Sequence, residues 1–410
     1  MVDSIVVGSR RFHFNEKGTR FRIFAHSRAL GFTPEPVYVD AAPGAIGPGP
    51  ADTAIDVIDA KDKPSYYSDT TGVLRKRPRF PFPAGGRRAT RPVEPRRGHF
   101  DYLAPPAWEF SAAMVYAVVR TTLSVWSHFF QVDAIPWHFT REAGPVLQVH
   151  PRVACANGWS GSGFLEFGFP FFPNHQHRFC ENFEVVAHET GHLIMKTMVG
   201  TRPDDEKSLQ HRAHEEAAAD LIALVTTLHF ESVIAHVLTQ TAGFLYGDNL
   251  LSRFGEWGRS PTALPRRSFN EATLASVRAQ APLTKHALSS PFTGAAYDVL
   301  VGIFVRHLVG RDAITADLAA RCRHTPGVAV PDLAGDFRRA YRGRADDFAE
   351  ALRLARDELG GLLAGAWRRT TTDGLVYGKV VRHMLAADAE LGTGHGALVA
   401  QAFAARGIAA

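Results

Sequence analysis

The stretch ENFEVVAHETGHLIM, Glu181 to Met195, carries two histidines four residues apart with a glutamate directly after the first. Residues four apart share one face of an α-helix, so His188 and His192 can aim both imidazoles at a single ion with Glu189 beside them. This is the H-E-x-x-H arrangement, in which two histidines bind zinc and the glutamate is the general base of a hydrolase. With 19 histidines in the chain, such a pentapeptide also arises by chance, so the reading needs a third ligand.

Downstream, HRAHEEAAADLIALV, His211 to Val225, opens a second helix in which Glu216 and Asp220 are four apart. One carboxylate there suits the metal, and the other, a turn further on, can accept the second ring N–H of a ligand histidine. Glu216 is preferred as third ligand because it has the aspartate at helical spacing and precedes the apolar run that fixes the face. His211, His214 and Glu215 stand as alternatives. The zincin class with a third histidine six residues after His192 is excluded, since Met195 and Met198 occupy its glycine and histidine positions.

Outward from these helices, Pro106 to Phe130 carries apolar residues at helical spacing over more than five turns. Gly144 to Phe169 alternates and is interrupted by glycines, which predicts strands with a turn or exposed edge near Asn157 to Gly163. A serine-hydrolase elbow fails there, because Ser162 stands where the last glycine of G-x-S-x-G belongs. Beyond Glu181 most segments are helical in period, with breakers at 200–203, 243–265, Pro291 and 326–331. No internal repeat is visible.

These motifs resemble the thermolysin-like zinc metallopeptidases of the gluzincin group. VVAHETGH is similar to the family's first zinc helix and EEAAADLIAL to its second. KHALSSPFTGAAYDVL, Lys285 to Leu300, resembles the segment in which a histidine precedes an A-A-Y helix start; the resemblance implies that His286 donates a hydrogen bond to the transition state. CANGWSGSGFLEFG is similar to the family's edge strand, which implies substrate-binding roles for Asn157 and Trp159. Val185, one turn before the first ligand, is implied to line the pocket after the scissile bond. ALVAQAFAARGI resembles the closing helix, so the likeness spans about 101–410.

The departures are specific. No tyrosine lies between His192 and Glu216, where the family has a transition-state donor, and Ala281 replaces the aspartate expected before His286. Thr227 and Ala235 occupy two positions of the family's calcium cluster, so calcium is not expected. The substrate-binding arginine is not assignable among Arg253, Arg259, Arg266 and Arg267.

Length and composition agree with an enzyme: 410 residues, 45% of them apolar, can bury a substantial core and exceed one compact core of usual size. A formal charge of +5 gives no footprint for nucleic acid. Three scattered cysteines make no disulfide framework and favour a reducing compartment. No stretch reads as a membrane span and no ordinary secretion signal is seen, so a cytoplasmic location is expected by default, with signal-independent secretion as the other route. Oligomeric state is not readable.

The expected fold class is α+β: a thermolysin-like two-lobed zincin with a β-rich N-terminal lobe and a mainly helical C-terminal lobe. Residues 1–100 are read as a β-rich segment ending in a basic, proline-rich arm, 75–97, exposed and outside the cleft. Residues 101–200 form the N-terminal catalytic lobe and 201–410 the helical one. The expected function is a zinc endopeptidase with one Zn2+ per chain, acting on an extended polypeptide; the alternative is a catalytically lapsed zincin that binds peptides. An aminopeptidase would need a glutamate-bearing edge strand of G-x-M-E-N type, which does not occur. His175, His177 and Cys180 form no second metal set for want of a fourth ligand, and GTGHG, Gly392 to Gly396, carries no cofactor.

Overall fold

The computed structural model describes residues 4–7, 10–13, 16–61, 63, 86–153, 157–168, 178–254 and 266–410. The strands are β1 (Ser4–Val7), β2 (Arg10–His13), β3 (Thr19–Ile23), β4 (Glu35–Val39), β5 (Ile55–Val57), β6 (Leu147–Val153), β7 (Gly158–Gly161), β8 (Phe164–Gly168), β9 (Arg253–Phe254) and β10 (Arg266–Arg267). The first helices are α1 (Trp108–Phe130), α2 (Thr140–Ala143), α3 (Phe183–Met198), α4 (Leu209–Thr227), α5 (Glu231–Thr241) and α6 (Leu274–Arg278). They are followed by α7 (Lys285–Gly310), α8 (Ala316–Arg321), α9 (Ala334–Tyr341), α10 (Ala345–Arg369), α11 (Tyr377–Leu391) and α12 (Gly396–Ala404). Helices with small sheets make this an α+β protein.

The main sheet has the order β5-β6-β8-β7, with β5 and β8 parallel to β6 and β7 antiparallel to β8. Among the described residues β7 is therefore an outer strand, in the stretch where alternation and glycines predict an exposed edge. Because β5 pairs with β6 through Ile55 and Leu147, the sheet crosses the boundary drawn at residue 100. Parallel pairing between residues almost a hundred apart leaves no local signal, which is why periodicity alone does not join them.

The basic arm is more firmly held than its composition predicts. Residues 75–85 lie outside the described residues. From 87 onward most side chains are exposed, as expected, but Arg88 bridges to Ala60 through the backbone and its guanidinium lies 2.8 Å from Asp56. Val93 is buried and pairs with Gly49. Asp56 of β5 thus gives Arg88 somewhere to dock, and Asp59 just beyond it accepts the Thr90 hydroxyl at 2.9 Å.

Most buried apolar residues form one cluster reaching from Phe21 to Ile408. At its centre Trp126 of α1 stacks at a tilt on Trp367 of α10, ring centroids 5.3 Å apart, while its Nε1–H donates to Thr226 of α4 at 3.1 Å. That polar handle satisfies an indole otherwise wholly in apolar surroundings. The same core fixes α4 against α1 from behind, leaving its start to face α3.

Two expectations fail at α7. Pro291 lies inside this helix, whereas a break was expected there, and the helix begins at Lys285, ten residues before the A-A-Y segment. A mid-helix proline costs about 3 kcal/mol through a lost hydrogen bond and a clash with the preceding turn. Burial of Leu288, Phe292, Ala295, Ala296, Leu300 and Phe304 outweighs it. By length and composition α7 could also cross a membrane, contrary to the expectation that no stretch would qualify; 89% of its apolar window is buried inside the protein, as in a core helix.

Candidate metal centre

The helix α3 starts where Asn182 turns its side chain to accept the Val185 N–H at 3.3 Å, an N-cap that fixes the phase of the residues that follow. Glu184 in the first turn suits the helix dipole. It is buried beside His26, whose Nε2 lies 3.0 Å from its Oε1, so the N-terminal segment anchors the start of this helix. On the other side of the ring, His26 Nδ1 accepts the Ser27 N–H at 2.7 Å. Two turns on, the rings of His188 and His192 are edge to face, with centroids 4.7 Å apart.

Facing them is α4, begun by Ser208, whose hydroxyl accepts the His211 N–H at 3.0 Å. Its approach depends on Gly191. A Cβ there would sit 3.0 Å from the Ala219 Cα and 3.2 Å from Ile222 Cγ2, so the small residue lets the two helices meet. Because the first of these contacts is backbone, Gly191→Val can be accommodated only by moving a helix. It is expected to lower unfolding stability by about 1–3 kcal/mol, read as a shifted denaturant midpoint at unchanged slope.

The approach brings the predicted ligands together. Glu216 Oε2 is 3.6 Å from His188 Nε2, and Glu216 Oε1 is 3.7 Å from His192 Nε2. On the far side of the first ring, His188 Nδ1 lies 2.8 Å from Asp220 Oδ1, which orients it with Nε2 toward Glu216. A tetrahedral ion with bonds of about 2.0–2.1 Å needs donors roughly 3.3 Å apart. The observed spacings, one to each oxygen of Glu216, exceed this by a few tenths of an ångström, so the chemistry and rough spacing of His188, His192 and Glu216 suit a metal ion.

Among the described residues, His188, Glu189 and His192 also form a group whose ligand atoms lie within 4.8 Å of one another. Glu189 therefore has a carboxylate oxygen near both histidines.

Electrostatics favour cation capture. Burial alone would raise the Glu216 carboxyl, but hydrogen bonds from His188 and His286 and the nearby His192 outweigh it and hold it well below the usual carboxylate range. Burial keeps His192 neutral, against the pull of Glu216, as a ligand imidazole must be.

The alternatives for third ligand are engaged elsewhere. Glu215 takes the Lys207 ammonium at 2.8 Å, and His211 Nε2 lies 3.8 Å from the same carboxylate. His214 is buried against Phe292, its Nε2 accepts the Trp367 indole N–H at 3.4 Å, and burial pushes it down to about 3.

The helix α7 completes the surroundings. Thr284 caps it by accepting the Ala287 N–H at 3.1 Å, which places Lys285 and His286 in its first turn. His286 Nδ1 is 3.1 Å from Glu216 Oε2, and Lys285 Nζ is 2.6 Å from Glu216 Oε1. His286 thus turns to the carboxylate of Glu216 where an upstream aspartate was looked for. Lys285 was missed by sequence reasoning, although it stands directly before His286 at a helix start.

The outer strand β7 lies over α3. A Cβ on Gly158 would come 2.9 Å from Val185 Cγ1 and 3.3 Å from Glu189 Cγ, so glycine lets the strand backbone rest directly on the motif. Val185 is accordingly at the strand's edge. The Asn157 carbonyl accepts the Gly168 N–H at 2.9 Å, and Trp159 is buried in the sheet, 5% exposed, which gives its ring a packing role. Of the candidate arginines, Arg253 pairs with Asp248, Arg267 is exposed on β10 and Arg259 lies outside the described residues. His175 and His177 also lie outside them, and Cys180 is buried with its thiol pushed up by that burial.

Neither a protein-family model nor a curated protein sequence matches this chain. Among solved structures it is similar to the precursor of protealysin, a metalloproteinase from Serratia proteamaculans, at 14% identity and a TM-score of 0.45, over 90% of this chain and 91% of that one.

Proposed function

We propose that this chain is a zinc-dependent endopeptidase that hydrolyses internal bonds of extended polypeptides. One observation carries the reading: His188 and His192 on α3 face Glu216 on α4, with Asp220 2.8 Å behind the first histidine and a Glu189 oxygen within 4.8 Å of both. A purely structural zinc site usually takes four cysteine or histidine ligands and has no need of an adjacent glutamate.

Bound zinc would polarise the scissile carbonyl and lower the pKa of a water molecule. Glu189 takes the proton of that water and delivers it to the leaving nitrogen. His286 donates to the carbonyl oxygen as charge develops on it, the work a transition-state tyrosine does in the family this sequence resembles. The substrate lies extended along β7, in a cleft between the β-rich and helical parts, with Asn157 beside its backbone and Val185 under the residue after the scissile bond.

The test uses the purified full-length protein. Metal analysis should find one zinc per chain, and cleavage-site profiling of a peptide library should show internal cuts. Absence of zinc overturns the reading. Zinc without cleavage replaces it with the lapsed, peptide-binding form.

A further inference from the structure

Lys285 is a cation placed where a cation is normally disfavoured. It occupies the first turn of α7, where the helix dipole opposes positive charge. Its Nζ lies 2.6 Å from Glu216 Oε1, the same oxygen that stands 3.7 Å from the His192 Nε2. The carboxylate of Glu216 is 3% exposed, whereas the Lys285 side chain is 46% exposed. A carboxylate so buried requires a counter-charge, and the ammonium supplies it from the solvent side.

We propose that Lys285 is a resident counter-ion that competes with the metal for Glu216, so that it weakens metal affinity and speeds metal exchange. This rests on reading the site as a zinc centre. A divalent ion between His188, His192 and Glu216 neutralises the same carboxylate, and an ammonium in contact with that carboxylate then faces a like charge within a few ångströms. The half-exposed lysine can swing outward; Glu216, buried and tied to α4, cannot. Metal entry therefore displaces a side chain, and metal loss is assisted by its return.

The experiment compares wild type, Lys285→Met and Lys285→Arg by zinc competition against a chelating indicator, with circular dichroism to confirm the fold. Methionine keeps the stem and removes the charge, so zinc should bind about ten-fold or more tightly and leave more slowly. Arginine keeps the charge and should stay near wild type. Unchanged or weaker zinc binding by Lys285→Met overturns the proposal, as does equal tightening by both variants, which would show that shape and not charge is responsible. Wild type that binds no zinc overturns this proposal together with the endopeptidase reading, whereas the first two results leave that reading standing.

Discussion

Glutamine in place of Glu189 is expected to cut peptide hydrolysis by at least about a hundred-fold while the zinc content and the fold stay as they are. The substitution keeps the volume of the side chain, which matters because the Glu189 Cγ lies under Gly158 of β7 and would be 3.3 Å from any Cβ added there. What it removes is the ability to take a proton. Both kcat and kcat/KM should therefore fall together, the pattern of an interaction made in the transition state. The same variant also decides between the two carboxylates near the histidines. Glu189 belongs to a compact group with His188 and His192, within 4.8 Å, while Glu216 reaches the two nitrogens at 3.6 and 3.7 Å. Retained zinc with lost hydrolysis makes Glu189 the base and Glu216 the ligand; zinc lost on Glu189→Gln would make Glu189 itself a ligand. Unchanged hydrolysis would remove Glu189 from the mechanism.

The parts of this site that were legible in the sequence are those set by helical spacing. His188 and His192, and Glu216 and Asp220, are each four apart, and a helix places such pairs on one face whatever else the chain does. Given that, only the meeting of two faces remained to be supplied, and the small residues Gly191 and Ala219 carry it. The outer strand was legible for a similar reason, since the alternation and glycines of 157–163 suit an edge. Contacts made by chain ends arriving from a distance were not. The pairing of Lys285 with Glu216 joins a helix start to the middle of a site 69 residues earlier, and no local pattern encodes it. Likewise the start of α7 was misplaced because Pro291 was weighed by its local cost alone, without the apolar surface around it that absorbs the cost. Trp159 is tied to substrate by resemblance alone, and its side chain is buried in the sheet, a burial that alternation with glycines does not announce.

Removing His286 is expected to separate chemistry from metal binding. Its Nδ1 lies 3.1 Å from Glu216 Oε2, so that nitrogen donates to the ligand carboxylate and Nε2 is the one left to meet a substrate oxygen. The ring is half exposed, at the mouth of the site, where a reacting carbonyl has access to it. His286→Ala should therefore lower kcat by about a hundred- to a thousand-fold, the usual effect of losing one oxyanion donor, with KM and zinc affinity little changed. A different outcome identifies a different role. If the main loss is in zinc affinity, and excess zinc restores hydrolysis, His286 acts by holding Glu216 in place. In that case the contact of His286 Nδ1 with Glu216 Oε2, and not its other ring edge, is what the site uses.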